Sequence, residues 1–371
     1  MARTNAANER LKRQYFTYLR EARGRNGASI DNVAQALSRF EQSTGYLDFK
    51  RFHREQAIGF KRKINAEINP KTGKPLSRST VHSTLQALRA FFTWVADRPG
   101  FRRSLSYADA EYFNLSEKDA RIAKATREKP APTIEQIQHV IAHMPSTADT
   151  ERRDRALMAF TLLTGTRDGA LASLKLKHVD IQARRVDQDA REVKTKFSKT
   201  FSTWFFPVGG EAVAIVEDWV AHLRGTLLWG NDDPLFPATL MRQAENGNFV
   251  VAGLDRKHWS NAHPIRRIFS EAFRNAGVAS FNPHSLRDTL VRLGEQLCRT
   301  PEEFKAWSQN LGHEKVLTTF TSYGDVSRAR QAELIANLGK EKEADPLESV
   351  RSDIAWLKAR LPDRQALVES N

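Results

Sequence analysis

The chain of 371 residues carries 58 lysines and arginines against 44 acidic residues, for a formal net charge of +14, and it has a single cysteine. This length is sufficient for two domains, and the charge favours a polyanionic partner. The lone Cys298 excludes a disulfide framework and a cysteine-based zinc site, and the lack of a signal-like N-terminus or of an apolar run of about 18 residues predicts a cytoplasmic protein without a membrane span.

The positive charge is concentrated in the N-terminal third. Residues 1–128 hold 25 lysines and arginines against 13 acidic residues, whereas residues 129–371 hold 33 against 31. The two parts therefore carry formal charges of +12 and +2. A merely soluble surface does not explain this division, so we interpret the chain as a basic module joined to a nearly neutral one.

Four helices are predicted in the basic module from the helical spacing of its apolar residues. They cover residues 6–24, a segment from the cap Ser29 to Phe40, residues 52–68 and residues 77–96. Basic helices commonly follow a DNA backbone and enter its major groove. The alternative that the residues alone leave open is a helical bundle with a solvated basic face.

The fourth of these helices has the clearest pattern. Its inward positions are predicted to be Val81, Leu85, Leu88, Phe92 and Val95. The basic residues on its other faces are candidates for DNA contact: Arg78, His82 and Arg89.

A linker is predicted after this helix. Residues 100–132 hold few apolar residues in helical register and end in the charged, proline-stiffened stretch 127–132. Thr133 is then positioned to cap a helix that carries Ile134, Ile137 and Val140. A second folded part is therefore expected to begin at Thr133.

Arg167 lies at a glycine-bounded break between two apolar segments. A helix predicted over residues 151–163 runs into Thr164-Gly165-Thr166-Arg167, and further leucines follow. From such a break a long guanidinium group can leave the core and bind a phosphate with two hydrogen bonds. The alternative is an arginine that merely caps a helix end.

A strand-like region is predicted over residues 178–208, and its hairpin contains Lys194, Lys196 and Lys199. Helices are predicted over residues 211–224 and 262–276, with a loop over Met241–Trp259. An exposed loop histidine such as His258 is more often neither a metal ligand nor a DNA contact. No His, Asp and Glu cluster has metal-ligand spacing, so we expect no metal site.

The stretch from Asn282 to Tyr323 holds the densest set of reactive side chains. Pro283 begins a predicted helix on which His284 and Arg287 stand three residues apart and therefore share one face. A short helix over residues 301–310 leads to His313, and Tyr323 follows ten residues later. A tyrosine among arginine and histidine groups is suited to nucleophilic attack on phosphate. The buried stripe of the longer helix is predicted to be Leu286, Leu290, Leu293 and Leu297.

Three motifs in order, His284-x-x-Arg287, Leu311-Gly312-His313 and the following Tyr323, resemble the C-terminal signature of the tyrosine recombinase (phage integrase) family, and Thr164-Gly165-Thr166-Arg167 adds an upstream match. The resemblance covers residues 8–330. It implies two domains, an all-α, SAM-like core-binding domain followed by a mixed α/β, mainly helical catalytic domain. The implied boundaries are 1–112 for the core-binding domain, 113–132 for the linker, 133–338 for the catalytic domain and 339–371 for a C-terminal linker and oligomerisation helix.

The family resemblance also implies a role for each reactive residue. Tyr323 would attack a DNA phosphate, and His284 would help to move the tyrosine proton. The groups that would stabilise the pentacoordinate transition state are Arg167, Arg287 and His313. One departure from the family is Ala170, where many relatives carry an acid, so Asp168 is expected to support the arginine instead.

A lysine of the hairpin would protonate the leaving 5′-oxygen. The family context fits Lys196 best, with Lys194 as its competitor and Lys199 as a more distant candidate. The remaining two lysines would face solvent or contact phosphates of the DNA.

The implied partner is double-stranded DNA, bound by a homotetramer that exchanges strands through a 3′-phosphotyrosyl link and a Holliday junction, with no cofactor. Two alternatives stay open: a topoisomerase IB-like nicking and resealing enzyme, and a catalytically silent DNA-binding protein. The C-terminal helix, predicted from Val350, Ile354, Leu357 and Leu361, would dock on its own domain or on a neighbouring protomer.

Overall fold

A computed structural model describes residues 4–70, 72–125 and 130–313. Contacts divide the chain into two compact units, Met1–Ala125 and Thr126–Asn371. Each unit has its own hydrophobic core. Tyr323 and the segment 339–371 lie outside the described residues.

The first unit is helical in its described part. Its helices are α1 (Ala6–Thr17, continued by a π-helical turn Tyr18–Ala22), α2 (Gly27–Ser43), α3 (Arg54–Ala66), α4 (Arg78–Ala96), α5 (Tyr107–Glu111) and α6 (Glu117–Lys124). The five inward positions predicted for α4 are all buried, which confirms the helical pattern of that segment. The cap of α2 differs from the prediction: Asn26 caps the helix, and its side chain accepts a hydrogen bond of 2.9 Å from the backbone N–H of Ser29.

The core of the first unit extends beyond the fourth helix. Phe113 is fully buried, and its ring lies 5.5 Å from that of Phe40 and 5.4 Å from that of Phe92. The structure therefore places residue 113, where the linker was expected to begin, in the core of this unit. Phe101, Leu105 and Ala110 are buried as well, and the helices α5 and α6 lie in the stretch that was interpreted as leading into the linker. These two helices are too short to show a clear apolar repeat in the sequence.

The second unit contains both helices and strands. Its helices are α7 (Ile134–His143), α8 (Asp149–Thr164), α9 (Asp168–Leu171), α10 (Gly210–Ala221, continued by a π-helical turn His222–Thr226), α11 (His263–Asn275), α12 (Pro283–Leu297) and α13 (Pro301–Asn310). Thr133 caps α7 in a reciprocal capping box with Gln136, as its position predicted. Helix α8 is buried almost all round, from Ala156 to Thr164. None of the helices in the described parts of the chain is long and apolar enough to cross a membrane.

The strands of the second unit form two antiparallel sheets. Strands β1 (Val179–Asp180), β2 (Arg185–Gln188) and β3 (Phe201–Trp204) pair in the order β1-β2-β3, so the predicted strand region over 178–208 is confirmed. Strands β4 (Ala238–Gln243) and β5 (Phe249–Asp255) form a hairpin with a bulge at Leu240.

The β4–β5 hairpin corrects the loop predicted over Met241–Trp259. Phe249, Val250 and Val251 are exposed, so burial does not impose the alternation by which a strand is recognised in a sequence. Leu297 is also corrected: it is 49% exposed at the end of α12, whereas Leu286 and Leu290 are fully buried. Helix α12 ends at that residue, where the helix no longer faces the core.

Candidate active site

Arg287 is the centre of a buried polar cluster in the second unit. Asn282 caps α12 by accepting hydrogen bonds from the backbone N–H groups of His284 and Ser285, which fixes the first turn of the helix. Arg287, one turn later, points inward and is only 2% exposed. Its guanidinium donates to the carbonyl oxygens of Gly165 and Leu311. Three separate parts of the chain therefore meet at one side chain.

Gly165 forms the turn that brings α8 to this cluster. It ends α8 in the left-handed conformation, with φ +58°, and a Cβ at this position would lie 3.0 Å from side-chain atoms of Leu290 and Leu311. Both the conformation and the close approach require glycine here. Arg167, two residues later, is half-buried at the N-terminus of α9. The carbonyl of Gly165 in this turn therefore accepts a hydrogen bond from Arg287, and Arg167 follows the turn directly.

His313 is buried against Arg287. Its Nε2 lies 3.1 Å from the guanidinium of Arg287, and because arginine only donates, Nε2 accepts and Nδ1 carries the proton of a neutral ring. Burial lowers the pKa of His313 to about 3, and electrostatic interactions with Arg287, Arg167, His284 and Lys199 act in the same direction. The two guanidinium groups and the ammonium group of Lys199 make the cluster suited to an anion.

His284 and Arg287 do not share the same environment, although they share a face of α12. His284 is exposed in the first turn, whereas Arg287 is buried. Asp168, expected to support Arg167, forms an ion pair of 2.6 Å with Arg266 of α11. Ala170 is buried, at 1% exposure. Arg266 is a residue that the sequence did not single out, because its partner is 98 positions away.

The three hairpin lysines occupy different surroundings. Lys196 is exposed, with its ammonium 5.0 Å from the centre of the Phe197 ring. Lys194 is also exposed. Burial lowers the pKa of His258, and the charge of Lys194 acts in the same direction. Lys199 is half-buried, and its charge acts on His313. Lys199 and His313 also line one cavity of about 1180 Å³. Of the three, Lys199 is the lysine that the structure brings to the cluster.

Helix α13 and strand β3 hold His313 in place. The side-chain amide of Asn310 accepts a hydrogen bond of 2.7 Å from the backbone N–H of Trp204 and donates one of 2.9 Å to the carbonyl of the same residue. The hydroxyl of Thr203 donates to the backbone carbonyl of Asn310 over 2.9 Å. The segment that leads to His313 is therefore attached to the strand that follows the lysine hairpin.

The basic candidates of the first unit have mixed surroundings. Arg78 is exposed and donates to Asn65 over 2.9 Å, and His82 is half-buried. Arg89 forms an ion pair of 2.6 Å with Glu111, so part of its charge is compensated. The nucleophile proposed from the sequence, Tyr323, falls outside the described residues. No group of three His, Cys, Asp or Glu side chains suited to a metal ion occurs within the described ranges.

A model of the phage integrase family matches residues 133–330, just over half of the chain. The chain is 23% identical over 264 residues to the tyrosine recombinase XerC of Natranaerobius thermophilus, which covers 70% of this chain and 76% of that protein. It is 24% identical over 263 residues to XerC of Ralstonia pickettii, with coverages of 70% and 72%.

Solved structures with the same fold include a lambda integrase dimer bound to a COC′ core site, with a TM-score of 0.57, 13% identity and coverages of 86% and 96%. The XerH recombinase bound to a palindromic difH substrate gives a TM-score of 0.55 at 14% identity, with coverages of 89% and 85%. At these identities the likeness establishes the fold of the chain.

Proposed function

Because the chain belongs to the phage integrase family of tyrosine recombinases, we propose that it cuts and rejoins double-stranded DNA through a covalent 3′-phosphotyrosyl intermediate. The observation that carries the proposal is the buried contact of 3.1 Å between Arg287 and His313, in a cluster whose His313 also lines one cavity with Lys199. The described structure offers this cluster as a site for a phosphate of the DNA backbone, and the lambda integrase and XerH structures contain bound DNA.

The reaction exchanges one phosphate ester for another. The phenolic oxygen of Tyr323 forms a bond to phosphorus, its proton passes toward His284, and the bond from phosphorus to the 5′-oxygen breaks. The 5′-oxygen takes a proton from a lysine and leaves as a hydroxyl group. The energy of the phosphodiester is kept in the tyrosyl link, so a 5′-hydroxyl from another strand can reverse the step without ATP.

Arg167, Arg287 and His313 act on the nonbridging oxygens of the transition state. Negative charge increases at those oxygens as the phosphate becomes pentacoordinate, and donors that are already fixed in position stabilise it without reorganisation. Arg287 meets this condition because two backbone carbonyls hold its guanidinium. His313 is neutral, with Nε2 accepting from Arg287 and the ring proton on Nδ1.

The general acid is the one role for which the structure favours a different residue from the sequence. The sequence favoured Lys196, but that ammonium is exposed beside Phe197. The half-buried Lys199 acts electrostatically on His313. Support from the structure is therefore greater for Lys199, and we propose it as the first lysine to test.

The first unit is proposed to bind the DNA on either side of the cut, because residues 1–128 carry +12 of the net charge. Phosphate contacts of this kind supply much of the affinity of a protein for DNA. The working assembly is proposed to be a homotetramer that joins two duplexes and exchanges strands through a Holliday junction.

The proposal is tested by covalent trapping on nicked duplexes. Sequencing the cellular DNA ends that remain attached to the protein gives the target site, and a nicked duplex of that site prevents religation. Wild-type protein should form an adduct that is stable on a denaturing gel, and Tyr323→Phe should bind the DNA without forming it. An adduct with the Phe variant would show that the nucleophile is a different residue.

The lysine is assigned by replacing the bridging 5′-oxygen with sulfur, which leaves as an anion and needs no acid. Lys199→Ala should cut normal DNA about 10²–10⁴-fold more slowly and recover on the sulfur substrate. Lys194→Ala is the matched control: any rate that it loses with a phosphate contact should be lost equally on both substrates, without recovery on the sulfur substrate. If only Lys196→Ala recovers its cleavage rate on the sulfur substrate, Lys196 is the general acid.

A further inference from the structure

Phe197 combines two unfavourable features at the tip of the loop between β2 and β3. Its side chain is 80% exposed, and its backbone is left-handed, with φ +61° and ψ +24°. The following residue, Ser198, also has a positive φ, of +50°. A bulky residue rarely adopts this conformation, and an exposed phenyl ring contributes little to a core. Folding alone does not account for phenylalanine here.

Backbone hydrogen bonds fix the base of this loop. The backbone N–H of Lys194 donates to the hydroxyl of Ser173 over 2.8 Å, and that of Ala190 donates to the hydroxyl of Thr200 over 3.1 Å. The backbone N–H of Thr195 donates to the carbonyl of Val193 over 2.7 Å. The bond to Ser173 thus attaches the loop to the segment after α9, and the other two bonds join residues within the loop.

The charge around Phe197 points to nucleic acid as the partner of the ring. Lys194, Lys196 and Lys199 flank it, and residues 193–200 contain no acidic side chain. Ammonium groups bind phosphates, while an aromatic ring stacks on any base or wedges between two bases. Lys199 and His313 line the same cavity, so the C-terminal end of the loop lies beside the cluster proposed to hold the cleaved phosphate.

We propose that Phe197 is an aromatic wedge that unstacks the DNA bases next to the cleaved phosphate. The inference rests on the proposed function, since that function supplies the DNA. The lysines anchor the backbone on either side of the step, and the ring replaces a neighbouring base in the stack. Unstacking next to the cut frees the 5′-end to leave its own duplex and pair with another strand.

The test uses the full-length protein and a duplex of the sequence recovered from its covalent adducts. The fluorescent base 2-aminopurine, which brightens when unstacked, is placed at each position around the cut in turn. Wild-type protein should raise the fluorescence at the step next to the cut, and Phe197→Ala should remove most of that rise. Phe197→Tyr, which keeps a ring, should retain it.

Leu228 provides a matched control. It is 75% exposed and has a φ of +55°, so it shares the exposure and the backbone conformation of Phe197, but no lysine flanks it. Leu228→Ala should leave both fluorescence and cleavage unchanged. Because both side chains are exposed, both variants should fold, which the thermal midpoint checks.

Cleavage supplies the second measurement. Phe197→Ala should form the adduct roughly 10-fold more slowly on intact DNA, in line with the stacking energy of one base. An abasic site at the unstacked step should restore the rate to nearly that of wild type, because no base then has to be unstacked. A wild-type fluorescence profile with Phe197→Ala would overturn the proposal.

Two further outcomes distinguish a DNA wedge from a protein contact and from a failure of the proposed function. If Phe197→Ala weakens only the association between DNA-bound copies, measured by sedimentation, while the fluorescence rise persists, the ring contacts protein and the wedge is refuted. If no DNA ends are recovered in covalent linkage to wild-type protein, the proposed function itself fails, whereas an adduct without any fluorescence rise removes only the wedge.

Discussion

Gly165→Ala should reduce both stability and cleavage, because the turn at Gly165 serves the fold and the site together. An alanine with φ +58° is strained by roughly 1–2 kcal/mol. Its methyl group would also lie 3.0 Å from Leu290 and from Leu311, and overpacking of this kind costs about 1–3 kcal/mol. The expected loss in the free energy of unfolding is therefore about 2–5 kcal/mol.

Gly277→Ala is the matched control for strain. Gly277 has a φ of +71° in the same unit, but a Cβ there would meet no atom within 4 Å. Its variant should lose only about 1–2 kcal/mol, so the difference between the two variants isolates the crowding at Gly165. Urea unfolding of both proteins beside wild type, followed by circular dichroism, measures that difference.

The same comparison applies to cleavage. The carbonyl of Gly165 accepts a hydrogen bond from Arg287, so crowding at the turn displaces the guanidinium as well as the backbone that precedes Arg167. Adduct formation by Gly165→Ala should fall at least tenfold under conditions where the protein is fully folded, while Gly277→Ala keeps the wild-type rate. Equal stability losses, or equal cleavage rates, would refute the reasoning.

Three further outcomes are expected. A fragment of residues 1–125 should bind duplex DNA, with log K falling by about 0.9 per phosphate contact for each tenfold rise in salt; salt-independent binding would contradict a charge-driven contact. Arg287→Lys should slow adduct formation by about 10²–10³-fold, because one ammonium cannot span two carbonyls and a phosphate, whereas the exposed Arg267→Lys should be neutral. The pKa of His313 is about 3 in the folded protein and 6.5 in the unfolded chain, so its contribution to stability is complete above pH 6.5 and is lost as the pH falls toward 3. The urea midpoint of His313→Gln should therefore vary less with pH over this range than that of wild type.

The parts of the fold that were predictable are those with a strong local signal. The inward positions of α4 repeat with helical spacing, and Thr133 stands where a cap is required. The motifs around Arg167, Arg287 and His313 were found for a similar reason, because short motifs tie reactive side chains to helix ends. The convergence of these residues was implied by the family resemblance rather than by any local pattern.

The parts that were not predictable depend on distant contacts. One irregular loop contains Lys194, Lys196 and Lys199, so no sequence periodicity favours one of them as the general acid. Lys199 is favoured only because its charge acts on His313 in the folded protein. The β4–β5 hairpin has exposed apolar residues on β5, so the usual alternation is missing. The pairing of Asp168 with Arg266 joins residues too far apart in the chain for any local rule.

Asn310 has a consequence for how the sheet meets other chains. Strand β3 is the last strand of its sheet, and the unpaired backbone groups of such a strand normally attract a further strand. By bonding both the N–H and the carbonyl of Trp204, the amide of Asn310 occupies the place of that next strand. A polypeptide that lengthened the sheet here would first have to displace α13, so this edge is guarded against aggregation by the same contact that positions His313.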